Sequence, residues 1–431
     1  MASPAAADRE PAPPLSGDYA RDAAAFSRYW TGGPDHATTA EARAARDRFL
    51  AAHAETLYRR LTGDFAKFIR VERLVYEAAR AVPGLAPSEG EVAAESRLAQ
   101  KAKRGLEIDQ GILISRLLAH PAAGAHLCHA MLLPRPEALA RRAQYEASGT
   151  IALDTATVER RGRTAIVTLS NPRFLNAEDE TTLDDTEIAI DLATLDAQAD
   201  AAVLRGGAVE HAKYRGRRIF SAGINLTHLY HGRISFVWYL KRDMGAVNKI
   251  FRGLAREDAS PDEICGETIE KPWIAQVDGF AIGGGCQLLL AMDYVVAARD
   301  AYMTLPARKE GIIPGAANLR LPRFTGDRIA REAILYGRRL DCDTAEGRLI
   351  CDEIAPPEAM DAAALRVAEN LTGAGVVSAA GNRRALRVAE EPLDLFRRYM
   401  AVYAREQAYC HFSPALIANL ERHWNAAQRR P

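Results

Sequence analysis

Between Gly279 and Val295 the chain reads GFAIGGGCQLLLAMDYV. An apolar run enters three consecutive glycines, Gly283, Gly284 and Gly285, and a second apolar run leaves them, with the neutral amide Gln287 two positions on. A strand turning directly into a buried helix satisfies this pattern. Glycine lets a ligand reach the main chain because no side chain blocks the approach. A helix that begins on such a run presents free N–H groups at the positive end of its dipole. A second glycine turn, Ser221-Ala222-Gly223, breaks the apolar strand of RRIFSAGINLTHL just before Ile224 and Asn225. If the two bends converge, their amides form an oxyanion hole, a set of fixed donors for a carbonyl oxygen that gains charge. Taken alone, a triple glycine is equally well a tight helix–strand packing contact.

With 431 residues the chain can bury a large core without disulfides or metal. Its 56 basic and 56 acidic side chains cancel, which removes the field that nucleic acid or an anionic membrane would need and favours a small-molecule or protein partner. Six cysteines (Cys128, Cys265, Cys286, Cys342, Cys351, Cys410) are scattered without a CxxC pair, as expected of reduced thiols. The opening MASPAAADREPAPPLSGDY has proline and charge where a signal peptide needs an apolar run, and no later run reaches membrane-spanning length, so a soluble cytoplasmic protein is expected.

The pattern divides the chain into four stretches. Residues 1–18, rich in Ala, Pro and charge, read as a mobile tail. Residues 19–150 read as a helical domain, with capping boxes at Thr38/Glu41 and Ser88/Glu91 and apolar residues Leu57, Leu61, Phe65, Phe68 and Ile69 at helical spacing. From 151 to 325, short β-rich runs alternate with helical ones, the mark of an α/β core. Residues 326–431 return to helices, with Ser413-Pro414 as cap and first-turn pair of the last.

In order, LSNPRFLNAEDE, IFSAGINL, KPWIAQVDGFAIGGGCQLLLAMDYVVA and GIIPGAANLRLPR resemble the crotonase (enoyl-CoA hydratase/isomerase) superfamily over residues 155 to about 350. The resemblance implies a core spiral of stacked ββα turns, a homo-trimer or homo-hexamer, and an acyl-CoA thioester substrate. It assigns the oxyanion hole to the N–H groups of Ile224 and Gly284. Arg218 stands where family members often carry a basic residue for the coenzyme A phosphates; with Lys213, Arg215 and Arg217 nearby, a solvated strand-edge charge is the alternative.

Hydratases of this family use two carboxylates, one two residues after the last glycine and one after the proline of a PE dipeptide. Here those positions hold Gln287 and Ala307, and neither moves a proton. Glu310, three residues on, is expected to point elsewhere whether that segment is strand or turn. Together with the long helical N-terminal stretch, these departures resemble a branch of the superfamily that converts (3,5-dihydroxyphenyl)acetyl-CoA and O₂ to 3,5-dihydroxyphenylglyoxylate and coenzyme A, without metal or organic cofactor, for the arylglycine of glycopeptide antibiotics. By that resemblance Glu178, Arg242 and Gln287 bind the ring hydroxyls, and Leu226, Ala307 and Ile312 line an apolar oxygen pocket. Ordinary core packing is the alternative for each apolar residue, and a solvated helix-start carboxylate for Glu178. The histidine pairs His126/His129, around Cys128, and His228/His231 lack the H-x-D/E pattern of a non-haem iron site and read as packing or ligand contacts. Two further readings stay open: another acyl-CoA hydrolase, decarboxylase or isomerase with its base from Asp243, Glu263 or Glu267, and a non-catalytic acyl-CoA-binding protein.

Overall fold

A computed structural model of the chain describes residues 12–30, 38–264 and 266–430. Residues 1–11 of the expected tail, and Cys265, lie outside the described residues. The rest of that stretch is tied down at its end, where the Ser16 hydroxyl and the Ser16 and Gly17 N–H groups donate to the Asp22 carboxylate on the first turn of helix Tyr19–Trp30.

Six more α-helices precede residue 149: Ala40–Thr62, Val71–Ala81, Glu89–Glu95, Ile108–Ala119, Pro121–Leu132 and Pro136–Ser148. The capping box at Ser88/Glu91 forms with both reciprocal bonds. At the other predicted box the cap is Thr39, which accepts from Ala42 N–H, rather than Thr38. The motif cannot separate two adjacent threonines, and the choice leaves Glu41 one position short of the reciprocal bond.

The strands formed by the described residues are β1 Thr150–Ala152, β2 Ala156–Arg161, β3 Thr164–Leu169, β4 Ala201–Gly206, β5 Leu254–Ala255, β6 Thr268–Ile269, β7 Trp273–Val277, β8 Phe280–Ile282, β9 Tyr294–Ala298, β10 Tyr302–Thr304, β11 Leu340–Asp341 and β12 Glu353–Ala355. Seven of them make one sheet in the order β1-β2-β3-β4-β7-β9-β12, parallel from β3 onward. Its interior strand β7 is buried at every position, and its sequence WIAQV is accordingly almost all apolar. A smaller sheet, β11-β10-β8, carries the glycine run at the end of β8. The strands β11 and β12 fall in the stretch past residue 325 that reads as helical, since runs of two or three residues are too short to show an alternation.

One continuous hydrophobic core runs from Phe26 in the first helix to Leu420 near the end. Helix Ile108–Ala119 packs along Leu393–His411, so the N-terminal helices and the C-terminal ones close on each other as well as on the sheet. A buried ion cluster ties the N-terminal helices to the α/β core. Lys249 Nζ lies 2.8 Å from both Glu187 and Asp191, one turn apart on helix Leu183–Leu195, while Arg70 from the N-terminal helices reaches Glu187 at 2.9 Å. All three central side chains are fully buried. Breaking such a cluster from one side strands its charges. Lys249→Met is therefore expected to lower the free energy of unfolding by about 3–5 kcal/mol, read by urea denaturation; an unchanged midpoint would contradict the placement.

Candidate active site

The two glycine bends converge. Ser221 lies parallel to Ala281 of β8, with Ser221 N–H donating to Phe280 O and Ile282 N–H to Ser221 O. Past β8, Gly283 turns the chain at φ 51°, ψ −110°, and helix Gly284–Leu289 begins. Gly223, at φ +79°, sits so close that a Cβ there would lie 2.5 Å from Ile282 O and 3.0 Å from Gly284 N. No other residue type fits at this contact.

Each bend carries an amide that has no backbone acceptor among the described residues. Glu178 N–H donates to Gly223 O and Asn225 N–H donates to Glu178 O, so Glu178 pairs with Ile224 in the parallel sense. In that pairing the N–H of Ile224 itself faces away from Glu178. The Gly284 N–H belongs to the first helical turn and has no intrahelical acceptor. Neither amide has a backbone acceptor among the described residues, and both residues line one pocket.

Arg242 organises the wall of that pocket. It is 3% exposed and opens a six-residue π-helical turn, Arg242–Val247, that follows helix Phe236–Lys241. The wider turn lets the consecutive residues Arg242 and Asp243 both face the pocket. All five N–H donors of Arg242 are used. Nε and Nη2 hold Glu178 in a bidentate pair at 2.9 Å each, Nη2 also donates to Gly284 O at 2.8 Å, and Nη1 donates to Asp243 and to Gln287 Oε1 at 2.9 Å each. Burial works against the guanidinium charge, but Glu178 and Asp243 outweigh it and hold its pKa above the usual value. Burial likewise raises the Asp243 carboxyl against the pull of Arg242. Gln287, three residues after Gly284 and on the same helix face, turns its carbonyl to Arg242; its NH₂ makes no hydrogen bond to a described residue.

Of the residues singled out in the sequence, Ile224, Gly284, Glu178, Arg242, Gln287 and Ile312 meet in this pocket. Ala307 is buried at the start of the one-turn helix Ala307–Glu310, and half-buried Leu226 packs on the core; neither is among the lining residues. Arg218 is elsewhere, paired with Asp361 at 2.7 Å and Asp278 at 3.5 Å. His126 bonds Tyr58 and Phe65 O through its two ring nitrogens, and His129 bonds Arg256 O. His228 pairs with Asp179, the neighbour of Glu178, at 2.9 Å. No group of three potential metal-ligating side chains occurs among the described residues.

The expectation for Glu310 is overturned: it lines the pocket. Segment 307–310 is a one-turn helix, and its last residue closes on the pocket wall beside Gly283. Glu310 is 8% exposed, and burial alone pushes its carboxyl up to about 7. Tyr239 and Tyr403 also line the pocket, the latter from helix Leu393–His411. No short motif marks either tyrosine; Tyr239 comes from the largely buried helix Phe236–Lys241 and Tyr403 from Leu393–His411.

The enoyl-CoA hydratase/isomerase family model matches residues 159–398. The (3,5-dihydroxyphenyl)acetyl-CoA 1,2-dioxygenase of Amycolatopsis orientalis is 48% identical over 369 residues, 85% of this chain and 83% of that protein. A carnitinyl-CoA dehydratase of Citrobacter koseri is 27% identical over 259 residues, 60% of this chain and 88% of its own. Among solved structures, the carnitinyl-CoA hydratase from Mycobacterium avium superposes with a TM-score of 0.51 at 25% identity, covering 65% of this chain and 98% of its own. The crotonase core is thus common to these relatives, and the helical N-terminal stretch lies outside the family match.

Because the Glu310 carboxyl is raised on folding, the stability of the protein is full below the ordinary glutamate pKa and falls as pH rises through 7. Glu310→Gln escapes that loss. It is expected to exceed the wild type in stability by on the order of 3 kcal/mol near pH 8 and by little near pH 5, measured by urea unfolding at both. Equal stability at the two pH values would place the carboxyl in water.

Proposed function

The chain belongs to the enoyl-CoA hydratase/isomerase (crotonase) superfamily, and from that premise we infer that it is an acyl-CoA dioxygenase acting on (3,5-dihydroxyphenyl)acetyl-CoA. The observation that carries this reading is the pocket wall itself. Glu178, Arg242 and Gln287 meet beside two unpartnered amides, while the two positions at which hydratases of the superfamily carry carboxylates hold Gln287 and Ala307. The relative from Amycolatopsis orientalis supports it by name and by a match over most of both chains.

In this reading the thioester oxygen accepts from the Ile224 and Gly284 N–H groups. The Cα–H of an arylacetyl thioester is acidified by ring and carbonyl together, and the two donors hold the resulting charge as an enolate. Losing one such donor costs about 3 kcal/mol, a hundredfold or more in rate. The Glu178 carboxylate and the Gln287 NH₂ receive the two ring hydroxyls, with Arg242 fixing both, so the ring is oriented by groups that are themselves locked. The electron-rich enolate reduces O₂ directly, and recombination places a peroxide on Cα. Attack of that peroxide on the thioester carbonyl expels coenzyme A, and O–O cleavage leaves the α-keto acid. Ile312, together with Leu226 and Ala307, is assigned to apolar surroundings that hold O₂ and keep water out. Neither metal nor organic cofactor has a part in these steps. Arg218 is proposed as a coenzyme A contact that would exchange Asp361 for phosphate. A homo-trimer or homo-hexamer in the cytoplasm, serving arylglycine supply for an antibiotic, completes the proposal.

Glu310 and Asp243 in the pocket also suit a second reading, a thioester hydrolase or isomerase of the same fold. Oxygen dependence separates the two. Purified, metal-free protein with (3,5-dihydroxyphenyl)acetyl-CoA is expected to consume one O₂ per thiol released and to form the glyoxylate by mass; thiol release undiminished under nitrogen would reject the dioxygenase. Ala307→Glu, which adds bulk and charge at the proposed oxygen pocket, is expected to cut oxygenation at least tenfold while thioester binding changes little. Parallel loss of both in steady-state and equilibrium measurements would contradict the oxygen pocket.

A further inference from the structure

The steps above remove a proton from Cα without saying what receives it. Glu310 stands where a receiver is needed. It closes the turn Ala307–Glu310 on the pocket wall beside Gly283, the residue before the oxyanion donor Gly284, and a Cβ built on Gly283 would lie 3.9 Å from Glu310 Oε1. A carbonyl oxygen received by the Gly284 N–H has its α-carbon two bonds away, within reach of that oxygen.

Its surroundings set Glu310 apart from the other carboxylates of the pocket. Glu178 is held bidentately by Arg242, and Asp243 is bonded by the same guanidinium. The Glu310 side chain, more than nine-tenths buried, makes no hydrogen bond and no ion pair with any described residue. An unmatched buried carboxyl lowers the stability of the fold wherever it ionises. A residue that weakens the fold and faces a ligand pocket is held there by chemistry rather than packing. Burial also gives it a proton affinity near that of the medium, the range in which a general base works best.

We propose that Glu310 is a catalytic residue, the base that takes the Cα proton of the thioester. The inference rests on the enolate reading of the site. The C–H electron pair becomes the enolate C=C, the carbonyl π pair moves onto the oxygen held by Ile224 and Gly284, and the proton stays on the Glu310 carboxyl. When coenzyme A leaves as thiolate, the same carboxyl returns the proton to sulfur. The second Cα hydrogen departs as a proton to solvent as the O–O bond breaks, so one thioester and one O₂ yield one keto acid anion, one thiol and one proton.

Deuterium exchange at Cα under nitrogen isolates this step from oxygen chemistry. Wild-type protein in D₂O is expected to exchange the Cα hydrogens of (3,5-dihydroxyphenyl)acetyl-CoA. Glu310→Gln, of the same shape, is expected to lose that exchange by a hundredfold or more with thioester affinity held within about threefold, and Glu310→Asp is expected to recover part of it. Exchange by Glu310→Gln at the wild-type rate, with oxygenation also intact, overturns the proposal and leaves the dioxygenase reading standing. Absence of both exchange and O₂ consumption in the wild type overturns the enolate reading and this proposal with it.

Discussion

The guanidinium of Arg242 is the contact on which the site depends. It joins three segments: the loop carrying Glu178, its own π-turn, and helix Gly284–Leu289 through the carbonyl of Gly284 and the amide of Gln287. Through Glu178 it also governs the other bend, because the Glu178 backbone is bonded on either side of Ile224. One buried cation therefore fixes the relative position of two loops that are otherwise joined only by short strand contacts. A buried, fully hydrogen-bonded arginine is costly to desolvate and rigid once satisfied, and that rigidity is what preorganised donors require.

The same economy explains why bare backbone is used. The unpartnered N–H groups of Ile224 and Gly284 and the unmatched Glu310 are each unfavourable for folding taken singly. They are tolerated because the surrounding core is large and continuous and because their neighbours are over-determined: Gly223 and Gly284 touch, and Gly284 could not carry a side chain, since a Cβ there would fall 2.0 Å from Glu178 Oε2. The glycine run is thus read twice, once by the turn and once by the carboxylate packed against it.

Much of this was legible in the sequence, and for identifiable reasons. Glycine runs and caps are local signals, so the bends at Gly223 and Gly283 and the Ser88/Glu91 box are found where the chain predicts them. Gln287 follows from helical spacing once Gly284 begins a helix. Arg242 follows from the family resemblance alone, and the π-turn that aims it together with Asp243 has no sequence signature. Glu310 was expected to point elsewhere whether its segment is strand or turn, yet it ends a one-turn helix on the pocket wall, a placement set by packing rather than by local spacing. Tyr403 was invisible, since a residue that reaches the pocket from the far end of the chain does so through packing alone. Arg218 shows the opposite hazard: an exposed-looking charge next to a motif finds two carboxylates, Asp361 and Asp278, that the motif does not mention.

The central claim is that two main-chain amides polarise a thioester carbonyl. Isotope-edited infrared spectroscopy of the ¹³C-labelled thioester carbonyl of (3,5-dihydroxyphenyl)acetyl-CoA, bound to the protein under nitrogen, tests it directly. The account predicts a stretching frequency well below that of the free thioester in water, because two fixed donors outdo mobile solvent. A bound carbonyl at or above its frequency in water would contradict it.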